Sequence, residues 1–237
     1  MKSKKKFILL AIFIITGASM FYVFQNESKT KRDKLIELLE GTEGTSIGYF
    51  SPEAVKALPD FIKLKVQKLS SNKRIQFLEI SDTNFSDFKL LEELTELEEL
   101  NLIGMNLDSL DFLKPLVNLK TLCLSESRIK DFSALGQIPS VNSLNLSGTN
   151  FEDVEMVKNL TDLGYLNLSQ TKTAEIGALS KLENLMVLDL SGTNIVDIKP
   201  LFQNQNLREL DLNNTHVFKE DIKIIKFKNP FITIKQH

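Results

Sequence analysis

Apolar residues along this chain recur at a fixed interval of 22 positions. The column Ile75, Leu97, Leu119, Val141, Leu163, Leu185 and Leu207 is followed three residues later by Leu78, Leu100, Leu122, Leu144, Leu166, Leu188 and Leu210. Two residues beyond those stand Ile80, Leu102, Leu124, Leu146, Leu168, Leu190 and Leu212. Seven units agree without insertion or deletion. Counting each unit from the first column, positions 4 and 6 point to one side of an extended segment and positions 3 and 5 to the other. One segment cannot bury its own apolar side. Stacking the units in parallel does so, with one short strand per unit at a spacing of about 4.8 Å.

The second half of each unit reads as the return path. Position 11 (Phe85, Leu107, Ile129, Phe151, Ile195, Val217) brings the chain back to the core, and Thr173 breaks that column, which predicts a looser fifth unit. After it comes Asp-apolar-x-x-Leu-x-x-Leu, as in Asp131, Phe132, Leu135 and Ile138. Spacings of three and four predict a short helical turn opposite the strands. Asp87, Asp131, Asp153 and Asp197 stand where a carboxylate caps such a turn. One carboxylate per unit falls short of the roughly six to eight oxygens that calcium takes, so capping is the expected role and no metal is.

The motif L-x-x-L-x-L followed by x-x-T-x-I/F resembles the leucine-rich repeat, and the 22-residue unit is most similar to the internalin branch of that family. The resemblance covers residues 75–217. It implies an α/β fold, a leucine-rich repeat solenoid in which a curved parallel sheet carries short helical or 3-10 turns on its convex side. It also implies a style of binding, and it names no ligand. Position 9, where many leucine-rich repeats carry Asn, holds Thr83, Met105, Ser127, Thr149, Thr171, Thr193 and Thr215. A hydroxyl there bonds backbone groups of the turn leaving the strand, and Met105 departs from the column without a reason visible in the sequence.

Side chains that face away from the core form the expected concave surface. Position 3 offers Phe77, Glu99, Thr121, Ser143, Tyr165, Val187 and Glu209, and position 5 offers Glu79, Asn101, Cys123, Asn145, Asn167, Asp189 and Asp211. Both ends of this arc are acidic and its middle is neutral. Phe77, Tyr165 and Val187 are the anchor candidates for a protein partner, since aromatic and apolar side chains dominate interface energetics. The competing reading of the Asn and Asp column is that it keeps the strand face soluble and hydrogen-bonded. Six strand spacings give an arc of about 29 Å, enough for a protein or peptide.

Outside the repeats the pattern changes. Residues 1–6 form a basic tail carrying Lys2, Lys4, Lys5 and Lys6, and residues 7–24 are an uncharged apolar run of 18 residues. As a helix that run is about 27 Å long against a hydrocarbon core of about 30 Å, so a transmembrane signal-anchor is expected. A cleaved signal peptide is the alternative, with Gly17 and Ser19 near a plausible cleavage site. Either way the repeats are expected outside a bacterial cytoplasm, tethered to the membrane or secreted. Residues 25–30 read as a tether and residues 31–74 as a helical N-terminal cap, with a helix over Asp60 to Leu69. Residues 218–237 read as a C-terminal cap, helical from Lys219 to Phe227 and closing on an edge strand from Phe231 to Lys235. In that strand Ile232 and Ile234 are expected on positions 4 and 6 of an eighth, degenerate unit.

The net charge of −2 hides a division. Residues 75–217 hold 10 basic and 22 acidic side chains, whereas residues 1–74 hold 14 and 7, and residues 218–237 hold 5 and 2. An acidic array is a poor ligand for nucleic acid, whose affinity comes from Lys and Arg neutralising phosphates, and a partly basic protein fits it better. A monomer is expected. Catalytic chemistry finds little support. Cys123 is the single cysteine, so no intrachain disulfide forms, and His216 stands four units away, about 19 Å along the stack. Asp189 and Asp211 are neighbours at one position of adjacent units, which repetition alone explains. No phosphate-binding, zinc or nucleophile-elbow motif is present, and no cofactor is expected.

Overall fold

The computed structural model describes residues 77–81 and 88–236, together with the short segments 9–10, 23–24 and 63–65. Its main sheet has nine strands in chain order: β1 (Lys63–Lys65), β2 (Phe77–Ser81), β3 (Glu99–Ile103), β4 (Thr121–Cys123), β5 (Ser143–Asn145), β6 (Tyr165–Asn167), β7 (Val187–Asp189), β8 (Glu209–Asp211) and β9 (Thr233–Lys235). From β2 onward every pairing is parallel, and Leu78, Leu100, Leu122, Leu144, Leu166, Leu188 and Leu210 stand in one register row. All seven are at most 1% exposed, so the 22-residue period is the period of the stack.

The return path is built from 3-10 turns of three to six residues, from Phe88–Glu93 to Lys199–Gln203. Segments this short close i→i−3 bonds, such as Leu135 N–H to the Phe132 carbonyl at 2.9 Å and Leu201 N–H to Ile198 at 2.9 Å. The expected caps are in place on three of them. Asp131, Asp153 and Asp197 each accept an N–H two residues on, from Ser133, Glu155 and Lys199, at 2.8, 3.0 and 2.8 Å. Asp87 lies outside the described residues.

The column at position 9 works as expected, and its exception has an explanation. Thr149, Thr171, Thr193 and Thr215 donate to the carbonyls of Leu146, Leu168, Leu190 and Leu212 at 2.5–2.7 Å. Met105 has no hydroxyl for Leu102. Ser127 of the next unit donates to the Leu102 carbonyl at 2.9 Å and accepts the Met105 N–H at 2.9 Å, so Met105 is free to pack at 1% exposure. Thr173 does not loosen its unit, contrary to expectation. It is fully buried, and its hydroxyl is satisfied by Thr171 at 3.0 Å. Asn204, where an apolar residue would continue the period, is buried and donates to Leu179 and Leu182 at 3.0 and 2.9 Å.

The turn that leaves each strand needs left-handed backbone at position 8. Gly104, Glu126, Gly148, Gln170, Gly192 and Asn214 all have φ between 56° and 69°. From Gly104 to Gly192 this conformation aims the N–H at the next unit, as from Glu126 to Ser147 and from Gly148 to Ser169, extending the parallel ladder past the strands. Non-glycine residues there bear a steric cost, and the Glu126 side chain occupies the space a Cβ on Gly148 would need.

Both ends differ from expectation. In the N-terminal cap, strand stands at Lys63–Lys65 where a helix was expected, antiparallel to β2 with Leu64 opposite Ile80. The alternation Ile62, Lys63, Leu64, Lys65, Val66 is a strand pattern, and an antiparallel strand meets the first repeat's open edge directly. The rest of that cap lies outside the described residues. So does most of the expected membrane helix: of it only Leu9–Leu10 and Val23–Phe24 are described, as a two-residue antiparallel pair. Aromatic and β-branched apolar runs suit strand as well as helix. Among the described residues no helix is long and apolar enough to cross a membrane.

At the other end α1 (Lys219–Lys228) forms as expected, and β9 pairs parallel to β8. Its register is shifted, because Leu210 faces Ile234 rather than Ile232. A ten-residue α-helix consumes more chain than the 3-10 turn it replaces, which displaces the closing strand by two residues. Asn229 then repeats the device of Asn204, donating to Leu207 at 2.6 Å.

Candidate binding surface

Register converts the sequence columns into rows. On the concave side Thr121, Ser143, Tyr165, Val187 and Glu209 are successive partners at position 3, and Asn101, Cys123, Asn145, Asn167, Asp189 and Asp211 at position 5. Glu99 and Glu209 are exposed, and the others of these rows are half-buried. Glu79 is half-buried on β2 beside Asn101, while the side chain of Phe77 lies outside the described set.

The two rows are not equivalent. At position 5, Asn145, Asn167, Asp189 and Asp211 accept the N–H two residues ahead, from Ser147, Ser169, Ser191 and Asn213, at 2.8–2.9 Å. This bond starts the turn out of the strand, so an Asn or Asp recurs there for the fold's own sake. The residues bond their own turn and not the neighbouring strand, which refines the solubility reading. Cys123 breaks the set, and its thiol lies 3.4 Å from the Ser125 hydroxyl. At position 3, by contrast, Thr121, Ser143, Tyr165 and Glu209 make no side-chain hydrogen bond among the described residues.

Tyr165 and Val187 are direct register partners, which makes them the apolar centre of the surface. Met186 extends it over the lip at 53% exposure, its side chain lying across Gly164. The sequence reading missed Met186, although position 2 of each unit must border the strand face. Acidic groups flank this centre on one side as Asp189, Glu209 and Asp211, and stand at the other end of the arc as Glu79 and Glu99.

The loops entering β4 to β8 add a feature that no motif announces. Asn118, Asn184 and Asn206 donate from Nδ2 to the carbonyls of Thr95, Thr161 and Glu183, each at 2.9 Å, linking one loop to the preceding loop. Ser140 is too short for that bond and Asp162 lacks the donor. Where the ladder lapses, a groove of about 550 Å³ opens along the lip, lined by Val117, Lys120, Asn142 and Asp162, with the buried Ser140 hydroxyl unpartnered at its wall. Lys120 is engaged by Glu98 at 2.9 Å. Among the described residues no three His, Cys, Asp or Glu side chains converge on a cation position.

A stack of 22-residue units with a parallel sheet on one side and 3-10 turns on the other is the leucine-rich repeat fold in its internalin form. Solved internalins of Listeria monocytogenes share it. Internalin C2 aligns at 22% identity over 69% of this chain and 81% of its own, with a TM-score of 0.53. Internalin F aligns at 23% identity over 65% of this chain and 53% of its own, with a TM-score of 0.53. The functional domain of InlJ, which includes a cysteine ladder, aligns at 22% identity over 61% of this chain and 30% of its own, with a TM-score of 0.50. This chain has one cysteine, Cys123. No protein-family model and no curated protein matches the sequence.

Proposed function

We propose that the chain is a non-enzymatic protein-binding module that holds a partner on its concave face. The observation that carries this reading is the row at position 3: Tyr165 and Val187 stand side by side on the open face, and the Tyr165 side chain makes no hydrogen bond among the described residues. A half-exposed aromatic–aliphatic pair ringed by polar groups has the make-up of an interface anchor. The acidic groups around it favour a partner with an apolar contact and a basic periphery. Catalysis forms no part of this reading, because the polar neighbour of Cys123 is a serine hydroxyl and a Cys nucleophile requires a base within about 3 Å.

The same acidic ends favour a second reading, in which the array blocks a basic toxin or hydrolase. Capture would then weaken steeply with added salt. The basic residues 2–6 followed by the apolar run 7–24 support a position on the outer side of a bacterial membrane, anchored or released by cleavage. Mass spectrometry of the mature N-terminus separates those two outcomes.

A photo-crosslinker on Cys123 tests the concave assignment. A specific protein is expected to be captured, and the pair Tyr165→Glu with Val187→Glu is expected to abolish capture while circular dichroism stays unchanged. Capture that survives both substitutions in a folded protein contradicts the assignment.

A further inference from the structure

The C-terminal cap carries the most exposed large apolar side chains among the described residues. Ile222 and Ile225 of α1 are buried at 8% and 2% exposure, but Ile224 and Phe227, one helical turn apart on the outer side, are 41% and 86% exposed. Phe231, just past the turn at Asn229 and Pro230, is 79% exposed. Lys223, Lys226, Lys228 and Lys235 lie among these apolar groups, and no Asp or Glu occurs from residue 222 to the end of the sequence. Asp221 is buried, and Glu220 sits in the first turn, away from Phe231. The surface continues onto the preceding unit, where the Lys228 ammonium stands 5.9 Å above the Phe202 ring.

We propose that this cap docks on an anionic lipid surface. Bulky side chains standing almost wholly in water, interleaved with lysines, have the composition of an interfacial element: the rings enter the headgroup boundary while the ammonium groups meet lipid phosphates. Charge complementarity alone would also admit the acidic repeats of a second copy. The apolar side chains decide against that. Among the described residues the other exposed apolar side chains are Phe218, at the N-terminal end of α1, and Val117, Met186 and Val196, which stand singly in different units and offer no matching patch for three bulky groups. A bilayer interface receives both components at once.

The chain contains no tryptophan, so Phe227→Trp supplies a single reporter inside the patch. Full-length protein carrying it is mixed with vesicles of phosphatidylcholine and phosphatidylglycerol in equal parts, and with vesicles of phosphatidylcholine alone. Emission is expected to move to shorter wavelength and to be quenched by brominated acyl chains on the anionic vesicles only. The salt-sensitive affinity is expected to fall about fivefold for each of Lys223→Gln, Lys226→Gln and Lys228→Gln. The local reporter separates cap docking from any insertion of residues 7–24. Phe231→Trp gives an independent reading should one variant fold poorly. An unmoved spectrum, an equal response to both vesicle types, or a blue shift that follows protein concentration without lipid overturns the proposal, the last in favour of self-association.

Discussion

Leu144 and Asn145 are chain neighbours on β5 that answer to different requirements, and Ser143 beside them answers to neither. Leu144 is fully buried in a row of identical residues, so packing decides it. Asn145 faces the opposite side and is fixed by the 2.9 Å bond that opens the following turn. Ser143 shares Asn145's face, but its side chain makes no hydrogen bond among the described residues. Across the units the consequences are plain: position 4 is Leu wherever it is described in the parallel stack, position 5 is mostly Asn or Asp, and position 3 runs through Glu, Thr, Ser, Tyr, Val and Glu. Two columns hold the fold, and the side chains of the third carry no such bond among the described residues, which leaves that column open to vary from unit to unit.

The comparison predicts graded costs. Leu144→Ala opens a cavity between two leucine rows and is expected to cost about 2–5 kcal/mol, read as a lowered midpoint in urea denaturation. Gly148→Ala combines a left-handed backbone with the Glu126 side chain lying over the site, and about 1–2 kcal/mol is expected. Pairing it with Glu126→Ala should recover part of the loss, because it removes the crowding and leaves the backbone strain. Asn145→Ala should cost about 1 kcal/mol by freeing a turn N–H, whereas Ser143→Ala should stay within about 0.5 kcal/mol. Equal effects at 143 and 145 would erase the distinction between the two rows.

A smaller effect comes from the caps on the convex side. The backbone N–H of Ser133 holds the Asp131 carboxyl below its ordinary value, helped by the Ser133 side chain. Asp111 is held low mainly by its hydrogen bond and ion pair with Lys114 at 2.6 Å. A carboxylate whose folded pKa is depressed stabilises the protein above its unfolded pKa, near about 3.9, and loses that contribution as pH falls through the folded value. Thermal melts at successively lower pH should therefore show a shallower acid-side decline for Asp131→Asn than for the parent protein.

The sequence made legible whatever repeats. Strand register, the buried rows, the hydroxyl column and the Asp caps all follow from a strict period, since the same local chemistry solves the same local problem in each unit. Features that trade duties between units stayed hidden: Ser127 serving Leu102 in place of Met105, and the lapse of the Asn ladder at Ser140 and Asp162. The left-handed column was obscured because Glu126, Gln170 and Asn214 share it with glycines. Where the repeat stops, the pattern misleads, as in the two-residue shift of β9. The strand at Lys63–Lys65 is legible as an alternation of Lys with Ile, Leu and Val, a period of two that the expected helix over Asp60 to Leu69 does not have. The side-by-side placing of Tyr165 and Val187 on the open face is legible from parity alone, while the turn bond that occupies position 5 has no signature in the period.

Native-state thiol labelling tests the alternation on which the whole account depends. In a Cys123→Ser background, cysteines introduced singly as Ser143→Cys, Leu144→Cys, Tyr165→Cys and Leu166→Cys are reacted with a maleimide under folding conditions. Residues 143 and 165 are expected to react nearly as fast as in denaturant, and residues 144 and 166 only at the rate of unfolding. Comparable rates at neighbouring positions, or protection at 143 and 165, would contradict a stacked sheet with an open inner face.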